Sequence, residues 1–149
     1  MAASAPATSE ILGMLTAHGL AASTQRVALL GEVLRTPAGV HPSADDLYRA
    51  LAGQFPTLSR ATVYNNLSAL VTAGLMEKLD TPEGSRYGPV AEPHVNLVCA
   101  SCGRIEDVLI GDAELGALVA RAARAGAFEA SSVSISVTGH CQSCTAGLA

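Results

Sequence analysis

Ser59-Arg-Ala-Thr-Val-Tyr-Asn-Asn-Leu-Ser-Ala-Leu-Val-Thr-Ala-Gly74 decides the fold, because it reads as a helix that gives way at once to a hairpin. Ser59 supplies the N-cap, Val63, Leu67, Leu70 and Val71 recur on one face, and Gly74 closes the run. Leu75-Met-Glu-Lys-Leu79 and Ser85-Arg-Tyr-Gly88 then read as two short strands around the turn Thr81-Pro-Glu-Gly84. Three helices are expected upstream. The first runs from Ser9 to His18, with Ile11, Leu12 and Leu15 on one side and Gly19 behind it. The second is capped by Ser23 or Thr24, carries Val27, Leu30 and Leu34, and ends at Thr36-Pro-Ala-Gly39. The third follows Ser43 as Ala44-Asp-Asp-Leu-Tyr-Arg-Ala-Leu51, with its acids in the first turn where the macrodipole favours them. Helices followed by such a hairpin form a winged helix-turn-helix.

The face of the fourth helix opposite its apolar stripe is Ala61, Asn65, Ser68 and Thr72, flanked by Thr62 and Tyr64, with Arg60 in the first turn. A merely solvated helix is usually rich in Lys and Glu, and this one has neither from Ser59 to Gly74. Small polar residues let a helix sit deep in a major groove. Asn can pair with adenine, Thr or Tyr can reach a thymine methyl, and Arg60 can take a phosphate or a guanine. Arg60, Thr62, Tyr64, Asn65 and Ser68 are therefore candidate DNA contacts.

Outward from this module, the 149 residues allow one sizeable core, or two small ones if the smaller is stapled. Hydrophobic residues at 49% and charged residues at 15% describe a folded protein, not a disordered one. No apolar run reaches membrane-spanning length, and the start Met1-Ala-Ala-Ser-Ala-Pro6 lacks the basic and apolar regions of a signal peptide. A short disordered tail over residues 1–8, a cytoplasmic location and no membrane partner are expected. Net charge is −4, but residues 1–90 carry six Lys/Arg against seven Asp/Glu, and residues 91–149 carry three against six. The helical part is thus near neutral and can bind DNA through a few placed arginines. Its weak long-range attraction favours a dimer.

Pro89 and Pro93 bracket a stiff linker, which sets the expected boundary between domains 1–90 and 91–149. Beyond it, His94–Cys99 and Arg104–Ile110 read as strands, Asp112–Arg124 as a helix with an Ala-rich face, and Ser132–Thr138 as a strand of strict alternation. The four cysteines stand in two pairs, Cys99-Ala-Ser-Cys102 and Cys141-Gln-Ser-Cys144. Two C-x-x-C pairs with nothing left over most economically make one tetrahedral thiolate site for a structural Zn²⁺, which would tie the last strand to the first hairpin. Two local disulfides, a thiol-redox pair and an iron–sulfur cluster are the alternatives. Disulfides need an oxidising compartment, and a cluster enzyme usually shows further cofactor motifs. A thiol oxidoreductase or zinc enzyme also fits poorly, since a site of four thiolates leaves no position for water.

His41-Pro-Ser-Ala-Asp-Asp-Leu-Tyr48, Ser59-Arg-Ala-Thr-Val-Tyr-Asn-Asn-Leu67, His94-x-x-x-x-Cys-x-x-Cys-Gly103 and Gly139-His-Cys-Gln-Ser-Cys144 together resemble the ferric-uptake-regulator (Fur) family of bacterial metal-dependent repressors. The resemblance runs from about Gly19 to Cys144 and is closest to the peroxide-sensing, PerR-like branch. It implies an α+β protein: a winged-helix DNA-binding domain, then a small α/β dimerisation domain stapled by zinc. It also implies a homodimer that represses transcription at a palindromic operator when Fe²⁺ or Mn²⁺ fills a regulatory site drawn from both domains. His41, His94 and Asp107 match ligands of that site, and Asp107 is the residue type of the peroxide-sensing branch. There, iron-catalysed oxidation of a ligand histidine releases DNA.

Two positions depart from the pattern. Gly88 stands where a carboxylate is expected, and Asn96 where a second strand histidine is expected. Asn96, Glu92 or water would have to complete the set, which leaves manganese or iron sensing without peroxide, or a DNA-binding protein with a degenerate sensor, as alternatives. His18 and His140 are read as structural. Arg26 remains as a DNA contact, but the turn Ala21-Ala-Ser-Thr-Gln-Arg26 lacks the basic residue and proline that relatives often carry, which puts the usual operator sequence in doubt.

Overall fold

The computed structural model describes residues 6–37, 39–90, 93–130 and 133–146. It divides into two units, Met1–Val90 and Ala91–Ala149.

The first unit contains α1 (Thr8–Ala17), α2 (Thr24–Arg35), α3 (Ala44–Ala52), α4 (Arg60–Thr72), β1 (Met76–Thr81) and β2 (Gly84–Pro89). Its helix starts follow local capping chemistry. The hydroxyls of Ser23, Ser43 and Ser59 accept the amides of Arg26, Asp46 and Thr62. Asp46 returns a bond to the Ser43 amide at 2.9 Å, closing a capping box. α1 starts one residue before Ser9, because the Glu10 carboxylate accepts the Ala7 amide at 2.6 Å. Residues 1–5 of the expected tail lie outside the described residues. Leu15, Leu29, Leu30, Val33, Leu47, Leu51, Val63, Leu67 and Leu70 form the interior of this unit, closed by Met76 and Tyr87 of the hairpin. β1 and β2 pair antiparallel from Met76↔Pro89 to Thr81↔Gly84, so the wing extends nearer its turn than the pattern of residues suggests. The segment ahead of α3 lies along the far side of β2, with Ser43 bridging Arg86. This is a winged helix-turn-helix.

The second unit contains β3 (His94–Cys99), β4 (Ile105–Leu109), α5 (Asp112–Gly126), β5 (Ile135–Gly139) and the short α6 (Gln142–Thr145). The sheet order is β4-β3-β5, with β3–β4 antiparallel and β3–β5 parallel. A parallel pair needs a crossover, and α5 provides it. β5 begins at Ile135, later than the alternation implies; Ser132 lies outside the described residues, and Val133 and Ser134 precede the strand. The interior here is thin: Val98, Cys99 and Leu115 are its buried apolar members among the described residues. A unit this small calls for a staple.

Candidate metal centre and nucleic-acid interface

Both thiolate pairs are presented by backbone turns at the same end of the three-stranded sheet. Cys99 closes β3, and the chain folds back so that the Gly103 amide donates to the Cys99 carbonyl at 2.9 Å. Gly103 has φ +69°, a conformation glycine adopts without strain. Parallel pairing sets Gly139 opposite Cys99, and the Ala100 amide donates to the Gly139 carbonyl at 2.7 Å. Cys141 therefore arrives beside the first turn, its amide donating to Cys99 Sγ at 3.3 Å. Cys141 also heads α6, whose single turn returns Cys144 to the group.

The four sulfurs lie within 4.8 Å of one another, and none is in a disulfide. Cys102 Sγ and Cys141 Sγ are 3.8 Å apart. Sulfurs bound tetrahedrally to one Zn²⁺ at about 2.3 Å stand about 3.8 Å from each other, so the donor set and its spacing fit that ion. The electrostatics agree. Amides of Cys141, Cys102 and Ser101 aimed at Cys99 pull its pKa down to about 5, favouring thiolate. Hydrogen bonding with the sulfurs of Cys141, Cys102 and Cys99 pushes Cys144 up to about 12, so the crowded group keeps a proton that a bound cation would replace. His140 stands at the edge, its Nδ1 2.8 Å from the Ser101 hydroxyl, a role in holding the turn. His18 likewise meets its own helix, Nδ1 to the Met14 carbonyl at 2.8 Å.

On α4, Ala61, Tyr64, Asn65, Ser68 and Thr72 are exposed, and Thr62 is half-buried with its hydroxyl 2.8 Å from that of Ser59. The buried stripe includes Asn66, while Val71 is only half-buried. Arg60 donates to Asp45 at 2.9 Å and stacks over Tyr48, 4.6 Å from the ring centre. Hydrogen bonding to Asp45 raises its pKa further, so it is a fixed cation at the start of the helix. Arg26 donates from Nε to Asn66 Oδ1 at 3.0 Å and from Nη1 to the Ala21 carbonyl at 2.7 Å. Both arginines are thus held in place by neighbours.

The residues matched to a regulatory site fall into two groups. His41 is buried ahead of α3, with Nε2 3.6 Å from Glu77 Oε1 on β1. In the second unit, His94 and Asn96 share one face of β3, and Asp107 pairs directly opposite Asn96. Asn96 is 1% exposed, unusually deep for an amide. Glu92 lies outside the described residues. Asn66 and Glu77 are the side chains that reasoning from the sequence did not single out.

Residues 17–138 match the sequence model of the Ferric uptake regulator family. The chain belongs to the ferric uptake regulator family. It is 36% identical over 137 residues to the peroxide operon regulator of Bacillus subtilis (strain 168), covering 91% of this chain and 92% of that one. Among solved structures it is similar to the Campylobacter jejuni peroxide stress regulator, with TM-score 0.68 and 31% identity over 89% of this chain and 98% of that one. It is similar also to the Vibrio cholerae ferric uptake regulator, reported with rearranged DNA-binding domains, with TM-score 0.60 and 27% identity over 87% and 98% of the two chains. This ferric uptake regulator family member is a metal-responsive transcription regulator, and members of the family are regulators rather than enzymes. Among the described residues no helix is long and apolar enough to cross a membrane.

Proposed function

We propose that this family member is a cytoplasmic homodimeric repressor that binds a palindromic operator when its regulatory site holds Fe²⁺ or Mn²⁺. The observation that carries the reading is the donor face of the second unit, where His94, Asn96 and Asp107 stand in register on β3 and β4. His41 is the donor from the first unit, and Glu92 and Asn96 are weaker candidates. Cys99, Cys102, Cys141 and Cys144 hold a structural Zn²⁺ that clasps β5 to β3. When bound, the regulatory ion supplies differential affinity for the DNA-binding conformation, which is what a ligand must have to shift a population.

On the DNA, α4 is the recognition helix. Tyr64, Asn65 and Ser68 face the base edges, Arg60 and Arg26 take phosphate or guanine at its start, and Thr62 is at the flank. The second copy of the chain covers the apolar side of the second unit, where Val95, Leu97, Val108, Ile135 and Val137 share one sheet face. Two recognition helices then read successive major grooves of a two-fold operator.

Likeness to the Bacillus subtilis peroxide operon regulator supports peroxide as the signal, acting through oxidation of His41 or His94. Gly88 and Asn96 favour a second reading, metal-responsive regulation without peroxide. Operator binding measured with and without Mn²⁺ tests the core claim. Wild type is expected to need the ion and His41→Ala to lose the response while staying folded; equal binding with and without Mn²⁺ in wild type would refute it. Mass spectrometry of Fe²⁺-loaded protein after peroxide separates the two readings: one added oxygen on His41 or His94 supports peroxide sensing, and its absence supports the second.

A further inference from the structure

Three segments of the first unit lie side by side around Gly88. β1 and β2 pair with Glu77 directly opposite Gly88. On the other side of β2, Ser43 bridges Arg86 in antiparallel sense and the Tyr87 amide donates to the Pro42 carbonyl at 3.0 Å. Two residues further along that antiparallel line, His41 stands level with Gly88. One cross-strand row therefore reads His41, Gly88, Glu77, and its middle member has no side chain. Side chains in one row share a face of a sheet. Here the outer two lean over the glycine and meet, with Nε2 of His41 3.6 Å from Oε1 of Glu77 and the two side chains 2% and 10% exposed. A Cβ at position 88 would lie 2.6 Å from His41 Nε2 and 3.3 Å from Glu77 Oε1, so the meeting depends on glycine.

We infer that Glu77 is a ligand of the regulatory Fe²⁺ or Mn²⁺, supplying from the adjacent strand the carboxylate that Gly88 lacks. The inference rests on the regulatory-metal reading above and adds a donor to it. Two atoms bonded to one ion at about 2.1 Å stand about 3.0 Å apart at a right angle and about 3.6 Å apart at 120°. The His41–Glu77 spacing thus admits a shared ion with both side chains where they are. Imidazole with carboxylate oxygen is a donor pair suited to both metals. Gly88 and Glu77 are then one arrangement: a residue with a side chain at 88 would enter the space where the two donors converge.

The test titrates full-length, zinc-loaded protein with Mn²⁺ and follows the free ion by electron paramagnetic resonance. Wild type is expected to bind one Mn²⁺ per chain beyond its zinc. Glu77→Gln, similar in shape but a weak donor, is expected to bind about tenfold or more weakly while keeping its zinc content and melting temperature. Glu129→Gln, an exposed carboxylate outside the row, is expected to bind as wild type does. Equal Mn²⁺ affinity in wild type and Glu77→Gln overturns the Glu77 assignment alone. Failure of wild type to bind Mn²⁺ or Fe²⁺ overturns the regulatory-metal reading and this inference with it. If Glu77→Gln does not fold, Glu77→His loaded with Co²⁺ carries the test: visible bands displaced from those of wild type support direct ligation, and coincident bands exclude it.

Discussion

Asn66 is the polar member of the buried stripe of α4, and its place there follows from joining two helices. Its amide nitrogen donates to the Thr62 carbonyl at 3.0 Å, and its oxygen accepts Arg26 from α2 at 3.0 Å. Asn66→Ala strips both partners in a part-buried setting, with an expected cost of about 1–3 kcal/mol in urea unfolding. It should also weaken operator binding, since Arg26 loses the bond that aims it. Asp46 makes a different point at the same scale. The hydroxyl and then the amide of Ser43 hold its carboxyl below the ordinary 3.8, helped by Arg86 and Arg49. A folded value below the unfolded one means that the capping box stabilises α3 above the unfolded value and fails as pH falls through the folded one. Asp46→Asn should therefore flatten the acid limb of a stability–pH profile below about pH 4, while leaving its neutral plateau only slightly lower.

Among the elements, the pairing of β3 with β5 has the largest consequence, because it delivers the second thiolate pair to the first. Cys99→Ser should release zinc and unfold the second unit, since a structural site and the fold around it form together. Limited proteolysis followed by mass spectrometry checks this: cleavage should concentrate within 91–149 and spare 8–88. Several features of the elements could be read before any coordinates. Ser23, Ser43 and Ser59 announce helix starts because capping acts over three residues. The cysteine pairs announce a thiolate site because donor type and spacing carry the chemistry. The link from Arg26 to Asn66 spans 40 residues with no local signature, so the sequence shows only an arginine and an amide. The row His41, Gly88, Glu77 is hidden for the same reason: it exists only once two registers are set, and in one dimension Gly88 reads as a missing ligand. The late start of β5 shows the limit of alternation, which marks a face but not where a partner strand begins to pair.

For the whole molecule, the distribution of exposed apolar surface is uneven. Among the described residues the second unit exposes seven large apolar side chains, Leu109, Leu118, Phe128, Val133 and Val137 among them at 46% to 73%, against Leu12, Val40, Tyr64 and Val90 in the longer first unit. Leu118, Phe128 and Val133 line an apolar groove of about 620 Å³ together with Val119 and Ile135. Surface of this kind suits the contact with a second copy proposed above. Leu118→Asp is expected to shift sedimentation from dimer to monomer at micromolar concentration, with zinc retained, and to weaken operator binding by the loss of paired half-sites. A variant that stays dimeric would move the interface elsewhere.

The clasp also orders events in time. A chain emerging from the ribosome completes the wing at Pro89 and can consolidate its helical half at once, while β3 must wait for residues 135–139, made some forty positions later, before its parallel neighbour exists. Contacts so distant along the chain form slowly and leave sheet edges open meanwhile. Newborn molecules would therefore pass through a half-finished stage until the four thiolates are gathered, and scarcity of zinc is expected to leave the second unit unfinished whatever the supply of the proposed regulatory ion.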